Sequence, residues 1–232
     1  MINVFPAATR HMADLGWLRS HPSFSFGAYY DPDRTGFSVM RVCNDDYLTP
    51  GRGFGAHPHS DMEIVSIVLN GQIRHEDNLG NAVVSSFGEV QRMSAGTGVI
   101  HTEFNASEVE ELRLLQLWFM PKERGLAPSY EASRFDTDKL HNALLPVVSD
   151  KPLEQVASIG QNMTIYLSKL EQGKQLDYAV EEGRKQFLYI IEGQLQTEGE
   201  TLATGDTAQI EAADGLKLFA EEHAFFMLID LP

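Results

Sequence analysis

Apolar and polar residues alternate in short runs along most of this chain, and each run is soon closed by glycine, proline, asparagine or aspartate. That rhythm is the signature of strands separated by turns. Ile64-Val65-Ser66-Ile67-Val68-Leu69 is a β-rich run closed by Asn70-Gly71, and Asp77-Asn78-Leu79-Gly80-Asn81 has the composition of a hairpin connection. Leu112 to Met120 predicts a further strand, stopped by Pro121. Helical periodicity is weak throughout. The expected class is all-β, with the strand spacing of a sandwich or barrel.

From Pro121 to Pro152 the pattern loosens, broken by Pro128, Pro146 and many polar residues, as expected of a link between two lobes. We therefore expect an N-terminal domain over residues 1–140 and a C-terminal domain over 141–232. Beyond the link the rhythm resumes: Phe187 to Ile191 runs into Glu192-Gly193, Gly205-Asp206 marks a turn, and Ala224 to Leu231 closes the chain as an apolar strand. The lobes share a short repeat, Val68-Leu69-Asn70-Gly71-Gln72 against Ile190-Ile191-Glu192-Gly193-Gln194. The repeat suggests a duplicated barrel.

Composition narrows the setting. A chain of 232 residues, 43% of them hydrophobic, can bury a substantial core. Its one cysteine, Cys43, excludes an internal disulfide, and the start of the chain lacks the basic stretch and apolar run of a secretory signal. A reducing cytoplasm is the expected location. No apolar stretch approaches the roughly 20 residues that cross a bilayer. The net charge of −15 is concentrated toward the end: residues 171–232 hold 13 acidic against 4 basic side chains. An acidic surface without a Lys/Arg stripe repels phosphate backbones, so neither nucleic acid nor membrane is an expected partner. A monomer is expected for a two-lobed barrel protein.

The chemistry lies in two short segments, His57-Pro58-His59 and His101-Thr102-Glu103. Strand side chains two apart share a face, so each pair can aim both members at one point inside a barrel. Imidazole with carboxylate suits iron, manganese, nickel, copper or zinc, whereas calcium takes oxygen ligands. Four protein ligands on an ion that prefers five or six leave an opening for catalysis. The glycine-rich Ser94-Ala95-Gly96-Thr97-Gly98 approach lets backbone come close just before His101. Glu63, four residues beyond His59, would share its face on a continuous strand and competes with Glu103 as acidic ligand or as a supporting partner. His11, His21, His75, His141 and His223 are read as ordinary hydrogen-bonded histidines. The second lobe has no His-x-His and only His223 beyond residue 150, so it is expected to hold no metal.

These segments resemble the cupin superfamily. Five residues separate Gly51 from His57, with His59, Glu63 and, one residue late, Gly71 following; the second cupin motif is matched by Gly88, Gly96, His101 and Asn105. Ser94 replaces the usual proline, and four residues rather than two separate Gly96 from His101. Those departures match the pirin family, a subgroup of two-lobed cupins. The chain is similar to pirins at Ser23-Phe24-Ser25-Phe26, Tyr30-Asp31-Pro32, Arg41-Val42, Asn44-Asp45-Asp46, His57 to Glu63, Met93 to Gly98 through His101, and Leu115-Gln116-Leu117-Trp118. Together these cover most of residues 16–121.

The resemblance implies a bicupin, two jelly-roll barrels of which the first binds one divalent metal ion, most commonly Fe2+. The implied ligands are His57, His59, His101 and Glu103, which favours Glu103 over Glu63, and the second barrel is implied to be metal-free. Several bacterial pirins are similar to flavonol dioxygenases, and some cleave quercetin with dioxygen. That implies an oxidoreductase acting on a flavonol and O2 with release of carbon monoxide, and Glu103 as both ligand and catalytic base. Phe54, Phe104 and Trp118 are expected to wall an aromatic pocket, with Phe24, Phe26, Tyr29 and Tyr30 over its mouth. Other pirins are described as transcriptional cofactors or modulators of metabolic enzymes. The alternative is therefore a regulatory protein whose iron redox state controls its grip on a protein partner. A cupin hydrolase or isomerase ranks last, because Arg52 and Arg92, the arginines beside the motifs, have no spacing that demands a substrate role.

Overall fold

The computed structural model describes residues 1–212 and 214–232, whose regular structure is almost all strand, with short 3-10 turns at Ala7–Thr9 and Thr137–Leu140. The expected strands are present as Glu63–Asn70, Leu112–Phe119 and Ala224–Leu231. Asp77 to Asn81 connects strands Gln72–Asp77 and Ala82–Ser86. The all-β expectation of two cupin-type barrels is met. No helix among the described residues is long and apolar enough to cross a membrane.

The chain forms two compact units. The first comprises residues 11–135 and 150–161, the second residues 1–10, 136–149 and 162–232. A single cut near residue 140 therefore does not describe the packing. Strand Ile2–Phe5 pairs with Thr207–Glu211 and covers the edge of the second unit's sheet. Residues 150–161 instead serve the first unit: Ser158 donates through N and Oγ to Glu131, and the Gly160 amide donates to Glu63. The stretch expected to be loose also supplies strands Ser129–Arg134, in the first unit, and Leu145–Ser149, in the second. Ser129–Arg134 is a short, mostly polar edge strand and Leu145–Ser149 is only five residues interrupted by Pro146, which is why they read as linker.

In the first unit a seven-stranded sheet runs in the order Ser129–Arg134, Glu89–Ser94, Glu63–Asn70, Leu112–Phe119, Met40–Leu48, Leu18–Pro22, Ala13–Asp14. A four-stranded sheet runs Gly53–His59, Val99–Asn105, Gln72–Asp77, Ala82–Ser86. The two meet where Ile73 of the small sheet packs with Leu18, Leu48, Val68, Leu112 and Leu114 of the large one. Beyond that seal the inward positions of the small sheet turn polar.

The second unit repeats the plan. Its large sheet contains, in order, Ile2–Phe5, Thr207–Glu211, Lys185–Thr197, Ala224–Leu231, Thr164–Leu170 and Leu145–Ser149. A smaller layer pairs Gln175–Ala179 with Gly215–Phe219, and joins the far end of Lys185–Thr197 to Glu200–Ala203. Glu192-Gly193 is not a reversal but lies within this one long strand, just after a register shift between Ile190 and Glu192, where the strand passes from the large layer to the small. Leu188, Ile190, Leu195, Leu202, Leu216, Leu218, Phe226 and Leu228 fill the interior.

Candidate metal centre

Strand register builds the site. Val99–Asn105 lies centrally in the small sheet, opposing His101 to His57 on one side and Glu103 to His75 on the other. His101, Glu103 and Asn105 are buried while Ile100, Thr102 and Phe104 are not, so the same-face parity read from the sequence is kept across a register shift between His101 and Glu103. One ligand atom from each of His57, His59 and His101 falls within 4.8 Å of the others, and the same holds for His75, His101 and Glu103. His101 belongs to both groups.

Hydrogen bonding sets the imidazole tautomers. His57 Nδ1 donates to the Gly55 carbonyl at 2.7 Å, leaving Nε2 as a lone pair. His75 Nε2 donates to Asp77 Oδ2 at 3.0 Å, so its Nδ1 is an acceptor, and His101 Nδ1 donates to it at 3.3 Å. His101 Nε2 is then also a lone pair, facing His57 Nε2 at 3.0 Å. His59 Nε2 is buried with no partner. Burial, reinforced by its histidine neighbours, pushes the pKa of His59 down to about 4 and that of His101 to about 3. Both are therefore neutral at physiological pH.

This donor set fits a divalent transition ion. Unprotonated nitrogens that face one another repel unless a cation lies between them. Imidazole nitrogens bind such an ion at about 2.0–2.1 Å, so two of them sharing an ion at right angles stand about 3 Å apart, the separation seen for His57 and His101. Neutral imidazole nitrogens suit iron, nickel, copper and zinc alike.

The two glutamates separate. Glu103 is buried beside the centre and held at both oxygens: Gln116 Nε2 donates to Oε2 at 2.8 Å, and the Ser66 hydroxyl, 3.0 Å from Oε1, shares its one proton with Gln116 Oε1. Glu63 begins a different strand, after a break at Ser60 to Met62, and accepts from Ser94 Oγ at 2.7 Å and the Gly160 amide at 3.3 Å. Those bonds hold it at the start of its strand, and it belongs to neither histidine group.

His75 is the residue that sequence reasoning missed. It is hydrogen-bonded and buried, 2% exposed, but its place beside the centre was not foreseen: it stacks on Tyr130 with centroids 4.3 Å apart and joins Asp77 to His101. Burial opposes ionisation of Asp77, but hydrogen bonds from His75, from the Asn81 side chain and backbone, and from the Leu79 amide outweigh it and hold its pKa below the usual carboxylate range. The signal available in sequence was alternation from Gly71: Ile73, His75 and Asp77 share a face.

A cavity of about 550 Å³ opens onto the centre, reached by His57 and Glu103 and walled mainly by Trp17, Leu18, Pro22, Phe26, Phe54 and Trp118. Of the expected aromatic walls, Phe54 and Trp118 are present. Phe104 is not, because the parity that turns Glu103 inward turns it outward. Phe26 and Tyr29 line the cavity as expected, whereas Phe24 is buried in the core and Tyr30 is 75% exposed. His11, read as ordinary, stacks on Tyr29 at 4.2 Å and joins this wall. Asp46, also on the wall, has its pKa pushed up to about 7 by burial and, to a lesser degree, by the charges of Asp45 and Glu103; a hydrogen bond from Ser20 acts in the opposite sense.

Comparison with known proteins agrees with this arrangement. Residues 6–119 match the family model for Pirin, and residues 146–231 match that for the quercetinase C-terminal cupin domain. Quercetin 2,3-dioxygenase of Escherichia coli strain K12 is 39% identical over 233 aligned residues, which cover 100% of this chain and 99% of that protein. The crystal structure of YhhW from Escherichia coli superposes with a TM-score of 0.96 at 38% identity, covering 100% of this chain and 98% of that one. The bacterial pirin YhhW in complex with nickel(II), also from Escherichia coli, superposes with a TM-score of 0.95 at 38% identity and covers 100% and 99%.

Proposed function

This chain belongs to the pirin family, and from that premise we propose that it is a metal-dependent dioxygenase that opens flavonols such as quercetin with O2 and releases carbon monoxide. The observation that carries this reading is the cluster of His57, His59 and His101, with Glu103 grouped to the same His101, beside one mainly apolar cavity that His57 and Glu103 line. His57, His59, His101 and Glu103 would hold the ion, iron(II) in our reading. When bound, the ion supplies Lewis acidity toward the flavonol 3-oxygen and a route for electrons to O2.

The protein's own contribution is binding, orientation and proton handling. Phe54 and Trp118 offer faces and edges to flat rings. The apolar walls keep water from the reacting carbons. Glu103 would take the proton of the 3-hydroxyl. Gln116 and Ser66 fix its two oxygens, so that its remaining lone pairs are directed rather than free to swing. The alternative reading, a regulatory protein switched by its metal, gains no support from so open a cavity, because a switch needs no room for a ligand.

The test is to load the protein with ferrous, manganous, nickel or cupric ion and follow quercetin absorbance and carbon monoxide under air. Metal-dependent loss of the flavonol with carbon monoxide release is expected, and absence of both with every ion defeats the proposal. Elemental analysis should show metal depleted in Glu103→Gln and retained in Glu63→Gln. The opposite pattern would move the acidic ligand to Glu63.

A further inference from the structure

The polar residues on the cavity wall are not equivalent. Gln116 is engaged with Glu103, and the Ser20 hydroxyl donates to Asp46. Asp45, one residue away, is held by Arg113 at 2.9 Å, and strand alternation turns it to the opposite face from its two neighbours. Besides Trp118, whose Nε1 is also without a partner, Asn44 and Asp46 remain. They are 1% and 3% exposed, they both line the cavity, and Asn44 Nδ2, Asn44 Oδ1 and Asp46 Oδ1 have no hydrogen-bond partner.

Each buried polar atom left without a partner costs about 1–3 kcal/mol, so native structures keep few of them. Here three sit together on two alternate residues of one strand, facing a space large enough for a ligand. The set offers an amide donor, an amide acceptor and a carboxylate acceptor. A phenolic hydroxyl complements it: the O–H donates to Asp46 Oδ1 while its oxygen accepts from Asn44 Nδ2. An apolar ligand, or one whose only hydroxyl is engaged at the metal centre, would leave all three unsatisfied.

Resting on the flavonol reading above, we propose that Asn44 and Asp46 form a second recognition point in the cavity, selecting polyhydroxylated flavonols by binding a ring hydroxyl other than the one presented to the metal. This makes them specificity-determining residues. Sites built to hydrogen-bond a hydroxyl reject analogues that lack it because their own groups are then stranded.

The test is anaerobic titration of the nickel-loaded full chain, followed by flavonol absorbance, with quercetin and with 3-hydroxyflavone, which has the same ring system and only the 3-hydroxyl. The native protein should prefer quercetin by about tenfold or more, the range for two hydrogen bonds that 3-hydroxyflavone cannot make. Asn44→Leu with Asp46→Leu should erase that preference while leaving 3-hydroxyflavone affinity within about threefold, since only the shared hydroxyl then counts. Asp46→Asn keeps the volume and can still accept from Ser20, so it carries the same test if the leucine pair fails to fold; it should reduce the preference several-fold. Equal binding of both flavonols by the native protein, or equal losses for both in the variants, overturns the recognition point and leaves the flavonol reading intact. If neither flavonol binds, the flavonol reading falls and the recognition point with it.

Discussion

The two units share a frame and differ in what they put inside it. Gly71 and Gly193 occupy the same place: φ is 77° and 79°, and a Cβ would meet the Glu111 carbonyl oxygen at 2.8 Å in one unit and the His223 carbonyl oxygen at 1.9 Å in the other, just before strands Leu112–Phe119 and Ala224–Leu231. Only glycine fits such a position without strain. Counting onward, His75 and Thr197 correspond. Because Arg74 pairs with Phe104 and Gln196 with Phe219, Glu103 corresponds to Leu218 and His101 to Leu216. The second unit puts leucines where the first puts His101 and Glu103, and packs them into its interior. The same backbone therefore becomes a packed core or a metal centre according to a few inward residues.

The sharpest way to break that comparison is to truncate corresponding residues. His101→Ala should reduce metal affinity by far more than the roughly 10–100-fold typical of supporting residues, with little change in unfolding of the metal-free protein. Leu216→Ala should do the reverse, lowering stability by about 2–5 kcal/mol through its cavity and leaving metal content unchanged. Elemental analysis and urea denaturation of both variants separate the outcomes, and a loss of metal in Leu216→Ala would show that the second unit supports the centre after all.

A smaller effect should appear in the pH dependence of stability. Asp46 has its pKa raised from 3.8 to about 7 in the folded protein, so its burial costs nothing below the unfolded value and costs most above the folded one. Stability is thus lost as pH rises from about 4 to about 7. His59 and His101, lowered to about 4 and 3 from 6.5, act in the opposite direction: metal-free protein loses stability as pH falls from 6.5 through those values. Asp46→Asn removes only the first arm. The variant should match the native protein near pH 4 and exceed it at pH 8 by on the order of 2–4 kcal/mol, read from thermal unfolding of metal-free protein. Equal stability at both pH values would place the Asp46 carboxylate in contact with water.

What could be read in advance follows the range of the interactions. Strand parity and turn glycines are local, so the all-β class, the glycine-anchored repeat and the pairing of His57 with His59 and of His101 with Glu103 were legible. The competition between Glu63 and Glu103 was not, because it turned on whether one strand continued through Ser60 to Met62. His75 acquires its meaning only from pairing opposite Glu103. Asn44 and Asp46 acquire theirs from the absence of partners, which no spacing reveals. The assignment of residues 1–10 and 150–161 to units other than their sequence neighbours' likewise rests on edge pairing and a few hydrogen bonds.

The finest test concerns His75 and its counterpart. A metal-bound imidazole is oriented by what its other nitrogen donates to, and His101 Nδ1 donates to His75, which Asp77 holds in turn. Phenylalanine at 75 would preserve volume and the stack on Tyr130 but leave the His101 N–H buried without an acceptor. Affinity for metal, measured by competition with a chelator, should fall about tenfold in His75→Phe and recover in part in His75→Gln, whose amide oxygen can accept. Thr197→Val, at the corresponding position of the second unit, should leave it unchanged. Equal affinities in His75→Phe and the native protein would mean that His75 only packs, and that the contrast between the two units ends at the groups that touch the ion.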